Sequence, residues 1–305
     1  MILIILAIIA SAAIGIAAER RHPAGAMDAS RRALLFVLYV ILPPTTFFNL
    51  AALDFDTDHS AGIAIAIVAT VLAAAAAGAI GSGLLHLDRP RVGAMITCTL
   101  VANTGYLGYP LTAALLGADN LGEAVAYDIG VGVPALLIGG FAVGAAFGSD
   151  AGAGARQRTG SFFARNLPLY AAVLALLAPD AWAPDLAVDI SRVIVVLLLP
   201  VGFFAVGTAL AHDSDEGTVR LPPPISPSTI AVAFTKVLLL PALLCALAAP
   251  LIDLPSTYLL MAAMPSGLNS MIVAHAYGLD LETTAEAITW TTALVVVVAL
   301  AASFL

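Results

Sequence analysis

The chain has 305 residues, of which 61% are hydrophobic and only 10% charged. A water-soluble domain carries about 25% charged residues, so this composition places the chain in lipid and excludes a basic nucleic-acid-binding surface. The net charge of −8 says little by itself, because the few charges fall between apolar runs.

The first run, MILIILAIIASAAIGIAAERR, has no basic residue before it and two arginines after it. It reads as a first transmembrane helix with its N-terminus outside, not as a cleaved leader. Crossing the hydrocarbon core takes about 20 apolar residues. Runs near 2–18, 33–53, 61–85, 92–116, 123–148, 166–179, 187–211, 228–252, 256–278 and 284–304 predict ten spans. The sixth is short, and its start is expected upstream of Asn166, near Phe162.

Orientation follows from the basic residues. With ten spans and the N-terminus outside, the cytoplasmic loops hold Arg20, Arg21, Arg31, Arg32, Arg89, Arg91, Arg156, Arg158, Arg165 and Arg220, ten of the twelve basic side chains. The outer loops hold Asp54, Asp56, Asp58, Asp119, Asp180, Asp185 and Asp253. Arg192, near the outer end of span seven, and Lys236, inside span eight, are the exceptions. The asymmetry obeys the positive-inside rule and predicts a multi-pass plasma (inner) membrane protein with both termini outside. The Gly/Ala/Ser-rich segment SDAGAGARQRTGS (149–161) divides the chain into a first half (1–149), a cytoplasmic linker (150–165) and a second half (166–305). PPPISP at 222–227 is a stiff turn before span eight.

The halves echo one another. PTTFFNLAAL (44–53) in span two matches PVGFFAVGTAL (200–210) in span seven at an offset of 156. Asn103-Thr104-Gly105 in span four matches Pro265-Ser266-Gly267 in span nine at an offset of 162. Both matches link a span to the fifth one after it. Five is odd, so the second half enters the membrane from the opposite face, giving a 5+5 inverted repeat of the kind found in secondary transporters.

Spans four and nine are the odd ones. VANTGYLGYPL (101–111) and MPSGLNS (264–270) put proline, glycine and polar residues inside apolar runs. Proline removes a backbone donor and glycine loosens the turn. Such backbone survives at membrane depth only where protein or a wet cavity satisfies it, and paired breaks in inverted halves point to a substrate site. Two half-helix N-termini converge there, which suits a carboxylate. The candidate binding residues are Asn103, Thr104, Gly105 and Pro110 from one break, and Pro265, Ser266, Gly267 and Asn269 from the other. Carbonyls ending the first half-helices leave room for a coupled Na⁺ or H⁺.

NTGYLGYPL with its partner MPSGLNSMIVAHAYG resembles the auxin efflux carrier family, including bacterial malate and malonate permease-like members. The resemblance runs over the whole chain and implies an all-α membrane fold with broken, crossing helices four and nine. It also implies a scaffold from spans 1, 2, 6 and 7, a transport part from spans 3–5 and 8–10, and elevator-type motion, and it allows a homodimer through the scaffold. Asn103 falls on the family's span-four asparagine and Pro265 on the crossing proline of span nine. Ala102 stands where plant carriers have proline, which argues against auxin itself.

Four further residues are candidates for substrate or ion coupling. Lys236 either pairs with an anionic substrate or with Asp128, or extends back to the cytoplasmic face. Asp128, near the outer end of span five, is either interfacial or a proton or cation site. His275 makes a structural contact or relays protons, and Asn49 faces the site or a neighbouring helix. Cys98 and Cys245 read as packing residues, and no metal or cofactor motif occurs. The expected function is secondary transport of a small organic anion, a mono- or dicarboxylate. The alternatives are a sodium-coupled symporter of the bile-acid type and an integral membrane lipid-modifying enzyme, which would need a catalytic cluster that the sequence lacks.

Overall fold

A computed structural model describes residues 2–53, 56–149, 167–179, 182–194, 198–215 and 223–302. The linker 150–165, the expected start of span six near Phe162, and the loop residues Asp54, Asp180 and Arg220 lie outside the described residues. The described chain is all helical. Its segments are α1 (Ile2–Arg21), α2 (23–51), α3 (Thr57–Leu84), α4 (Arg89–Leu100), α5 (104–115), α6 (121–147), α7 (Leu167–Leu177), α8 (Asp185–Ile194), α9 (Leu198–Asp215), α10 (Pro227–Ala248), α11 (Ser256–Ala262), α12 (Asn269–Tyr277) and α13 (Leu281–Ala302). Helix falls in every predicted span. Six stretches are by themselves long and apolar enough to cross a membrane: Gly25–Ala51, Thr57–Leu84, Ala118–Phe147, Asp185–His212, Pro227–Ala248 and Leu281–Ala302.

Prolines shape the helices without ending them. Wide π turns at Val37–Ile41, Thr104–Gly108, Asp128–Gly132 and Phe234–Leu239 each end two residues before a proline: Pro43, Pro110, Pro134 and Pro241. A proline cannot donate to the carbonyl one turn back, and a widened turn takes up the mismatch. Starts are capped by side chains: Asp56 accepts from the His59 N–H at 2.8 Å, and the Ser226 hydroxyl from the Thr229 N–H at 3.2 Å. The Asp56 carboxyl is held below its usual range, chiefly by that backbone N–H.

Each helix buries a narrow face and turns the rest outward. On α3 the small residues Gly62, Ala66, Ala69, Ala73 and Ala77 are buried, while Val68, Val71 and Leu72 are exposed. Small residues inward and branched ones outward is the pattern of helices packed within lipid.

The helices can be taken as two groups, which also pack on each other, α2 on α6 and α9 on α5. α1 lies along α9, and α2 packs on α7, α8 and α9. α3 packs on α4 and α10, α13 on α4 and α10, α6 on α4 and α11, and α12 on α13. Between the groups the backbones come close. A Cβ on Gly122 of α6 would lie 2.7 Å from the Asn49 carbonyl of α2, and one on Gly202 of α9 would lie 2.7 Å from the Tyr106 ring of α5.

Candidate functional site

α4 ends at Leu100 and α5 begins at Thr104; α11 ends at Ala262 and α12 begins at Asn269. The two gaps face each other as a single antiparallel bridge, Ala102 opposite Ser266. The Asn103 N–H donates to the Pro265 carbonyl at 2.8 Å, and the Gly267 N–H to the Val101 carbonyl at 2.8 Å. Four backbone groups freed by the breaks are thus satisfied by one another, which is how irregular backbone persists at this depth. The sequence reading left these groups open for a solute or cation; the geometry spends them on the crossing.

Side chains lock the bridge. The Ser266 hydroxyl donates to the Cys98 carbonyl at 2.8 Å, and the Ser266 N–H donates to Thr291 Oγ1 at 3.1 Å. Thr291 in turn donates to the Ala287 carbonyl at 2.6 Å. Gly267 is required by approach alone, since a Cβ there would lie 2.6 Å from the Ala102 carbonyl oxygen. Ser270 closes the start of α12 by donating to the Gly267 carbonyl.

The start of α5 is tied to α6. The Thr104 hydroxyl donates to Asp128 Oδ1, and the Tyr109 hydroxyl to Asp128 Oδ2 at 2.8 Å. Asp128 is a half-buried carboxylate gripped by two hydroxyls beside the break, and no described basic residue pairs with it.

Among the predicted binding residues, Asn103 and Thr104 are buried, and so are Pro265, Ser266 and Gly267. The hydroxyls of Thr104 and Ser266 are committed to protein acceptors, whereas the Asn103 side-chain amide bonds to no described residue. A Cβ on Gly105 would meet nothing within 4 Å, so there is space beside the first turn of α5. Asn269 is exposed, and Pro110 lies inside α5, beyond the break.

The coupling candidates separate. Asn49 faces a neighbouring helix, donating to the Thr45 carbonyl and to Ser191 Oγ, each at 2.9 Å. Lys236 is 1% exposed, so its amine does not reach the surface, and Asp128 is held by Thr104 and Tyr109 rather than by Lys236. His275 Nδ1 lies 3.0 Å from the Met271 carbonyl. Cys98 and Cys245 form no disulfide.

A cavity of about 680 Å³ runs between the two groups of helices. Met27 and Leu34 of α2 and Ala209 and His212 of α9 form one wall; Met271 and His275 of α12 form the other, with Leu268 of the second gap at its edge. Sequence reasoning missed this cavity, and it missed Tyr109 and Thr291 as partners of the break. Tyr109 lies within the unusual stretch 101–111, so its polarity was a visible signal. Thr291 sits in an ordinary apolar run and gave none.

Residues 168–302 match the model of a family described as Membrane transport protein. Over 115 residues the chain is 27% identical to an uncharacterized transporter of Methanocaldococcus jannaschii. That match spans 37% of this chain and 37% of the relative, so little more than a third of the relative's length is covered. Both findings support the likeness to auxin-efflux-carrier-type transporters drawn from the two break motifs, and with the long apolar helices they support a multi-pass membrane transport protein.

Proposed function

We propose that the protein is a secondary carrier that moves a small organic anion, a mono- or dicarboxylate, across the plasma membrane by alternating access. In this reading the chain crosses ten times as two inverted halves, with both termini outside. α1, α2 and α7–α9 form a fixed scaffold, through which two copies could pair, and the remaining helices carry the solute past it. The observation that carries the reading is the backbone crossing of the two gaps, where the buried Asn103 amide bonds to no described residue and Gly105, two residues on, has open space.

The physical argument is one of supply and demand. A carboxylate leaving water needs donors that the protein does not already use. Asn103 offers one, and the first turn of α5 adds the positive end of a helix. The cavity between the helix groups runs from Leu268 of the second gap towards the end marked by His212 and His275. Coupling to H⁺ is assigned to Asp128, because its carboxylate holds Thr104, the residue that follows Asn103.

The test is uptake by proteoliposomes of labelled malate, malonate, lactate and indole acetate, with wild type and Asn103→Ala in parallel. The reading expects saturable uptake of at least one of these and a loss of at least about tenfold in the variant, the cost of removing one hydrogen bond to a charged group. Full activity in a correctly inserted Asn103→Ala protein would reject the site.

A further inference from the structure

We infer that the ion pair between Arg192 and Asp119 is an outer latch that holds the carrier open to the cytoplasm; the inference rests on the alternating-access reading above. Arg192 lies in the last turns of α8, within the group formed by α1, α2 and α7–α9. Asp119 lies in the short turn between α5 and α6, in the other group. Arg192 Nη1 lies 2.5 Å from Asp119 Oδ1, and 3.8 Å from Asp189 of its own helix. Of the ion pairs between described residues, this one alone joins the two groups. The others stay within α2, α3, α4 and α8, or link α3 to α6, α4 to the start of α13, and α9 to α1.

Its position is what gives it a role. The cavity meets α2 at Met27 and Leu34, whereas Gly122, just after Asp119, meets Asn49 of α2 and Leu53 just beyond its end. Leu34 and Asn49 are about 15 residues apart, roughly 22 Å along one helix. The seam between the groups is therefore open at one end and shut at the other, and the shut end carries the ion pair. Positive-inside asymmetry makes that end the outer one.

Both partners are presented firmly. Gly117 turns the chain at φ +101°, and Asn120 Nδ2 donates to the Leu116 carbonyl at 2.7 Å, so Asp119 sits on a fixed corner. The Arg192 side chain is 21% exposed, and its Nε is buried without a partner. A guanidinium so placed holds its anion more tightly than a freely solvated one. Asp119 itself is 92% exposed, so the pair is modest in strength. Modest strength suits a latch, because two states a few kcal/mol apart shift with a small bias.

The experiment reads which end of the seam is open. In a Cys98→Ala/Cys245→Ala background, Ala209→Cys reports the cavity and Leu53→Cys reports the shut end. Each is reacted with a membrane-impermeant maleimide from either face of sealed vesicles. Arg192→Gln or Asp119→Asn is expected to raise Leu53→Cys labelling from the outside roughly fivefold or more, the low end of coupling between two states, and to lower Ala209→Cys labelling from the inside. The exchanged pair Asp119→Arg/Arg192→Asp is expected to restore the parental pattern, which a merely misfolded variant would not do. Unchanged labelling at both positions in the single variants, with Ala209→Cys still reactive from the inside, overturns the latch and leaves the carrier reading standing. If Ala209→Cys in the parent reacts from neither face, the carrier reading falls and the latch falls with it.

Discussion

A methyl group on Gly267 would sit 2.6 Å from the Ala102 carbonyl oxygen, which cannot move without breaking the hydrogen bonds on either side of it. Gly267→Ala is therefore expected to destabilise the protein by about 1–3 kcal/mol, the usual range for overpacking, and to abolish uptake. Thermal unfolding and proteoliposome flux measured together check this, and a variant of native stability and activity would show that the bridge is dispensable. Asp128 makes the second prediction at this scale. An Asn there keeps one oxygen acceptor where the carboxylate offered two, one each to Thr104 and Tyr109. Asp128→Asn is expected to bind solute but to lose the response of uptake to an imposed pH gradient; an unaltered response would make the carboxylate purely structural. Asn103 was legible in the sequence because an amide within an apolar run is costly and stands out. The commitments of Thr104 and Ser266 were not, because a hydroxyl's partner is decided by what folds against it.

At the scale of elements, the two breaks were visible but their edges were not. NTGYLGYP reads as one long interruption, yet the gap covers only 101–103, and the helix resumes through Pro110 behind a π turn. MPSGLNS was read more closely: α11 stops at Ala262 and Pro265 lies in the gap itself. The difference is local, since a proline near a helix start costs little while one in mid-helix must be accommodated or end it. The bridge also sets a geometric prediction. Ala102 and Ser266 are a non-hydrogen-bonded antiparallel pair, whose Cα atoms lie about 4.5 Å apart, inside the roughly 4.4–6.8 Å window of a disulfide. In a Cys98→Ala/Cys245→Ala background, Ala102→Cys/Ser266→Cys is expected to cross-link under mild oxidation, shown by a mobility shift after proteolysis between residues 149 and 166. Failure to cross-link, with both thiols reactive in the denatured protein, would mean that the gaps do not meet.

At the scale of the whole molecule, composition alone places the chain in lipid, and the arginine pattern predicts an orientation with both termini outside. The division into scaffold and transport helices is not readable from the residues; it is expected only from the resemblance to auxin efflux carriers. The cavity was not legible either, because Met, Leu and Ala line a route and fill a core equally well. What the parts amount to is a claim about movement: a solute held at the crossing is exposed to one side at a time. Counterflow tests that claim most directly. Proteoliposomes are preloaded with an unlabelled carboxylate that wild type takes up, and entry of the labelled compound is followed. The account predicts that preloading speeds entry and that entry saturates, because the loaded carrier returns faster than the empty one. Entry that rises linearly with concentration and ignores the preload would contradict it, and would make the protein a pore.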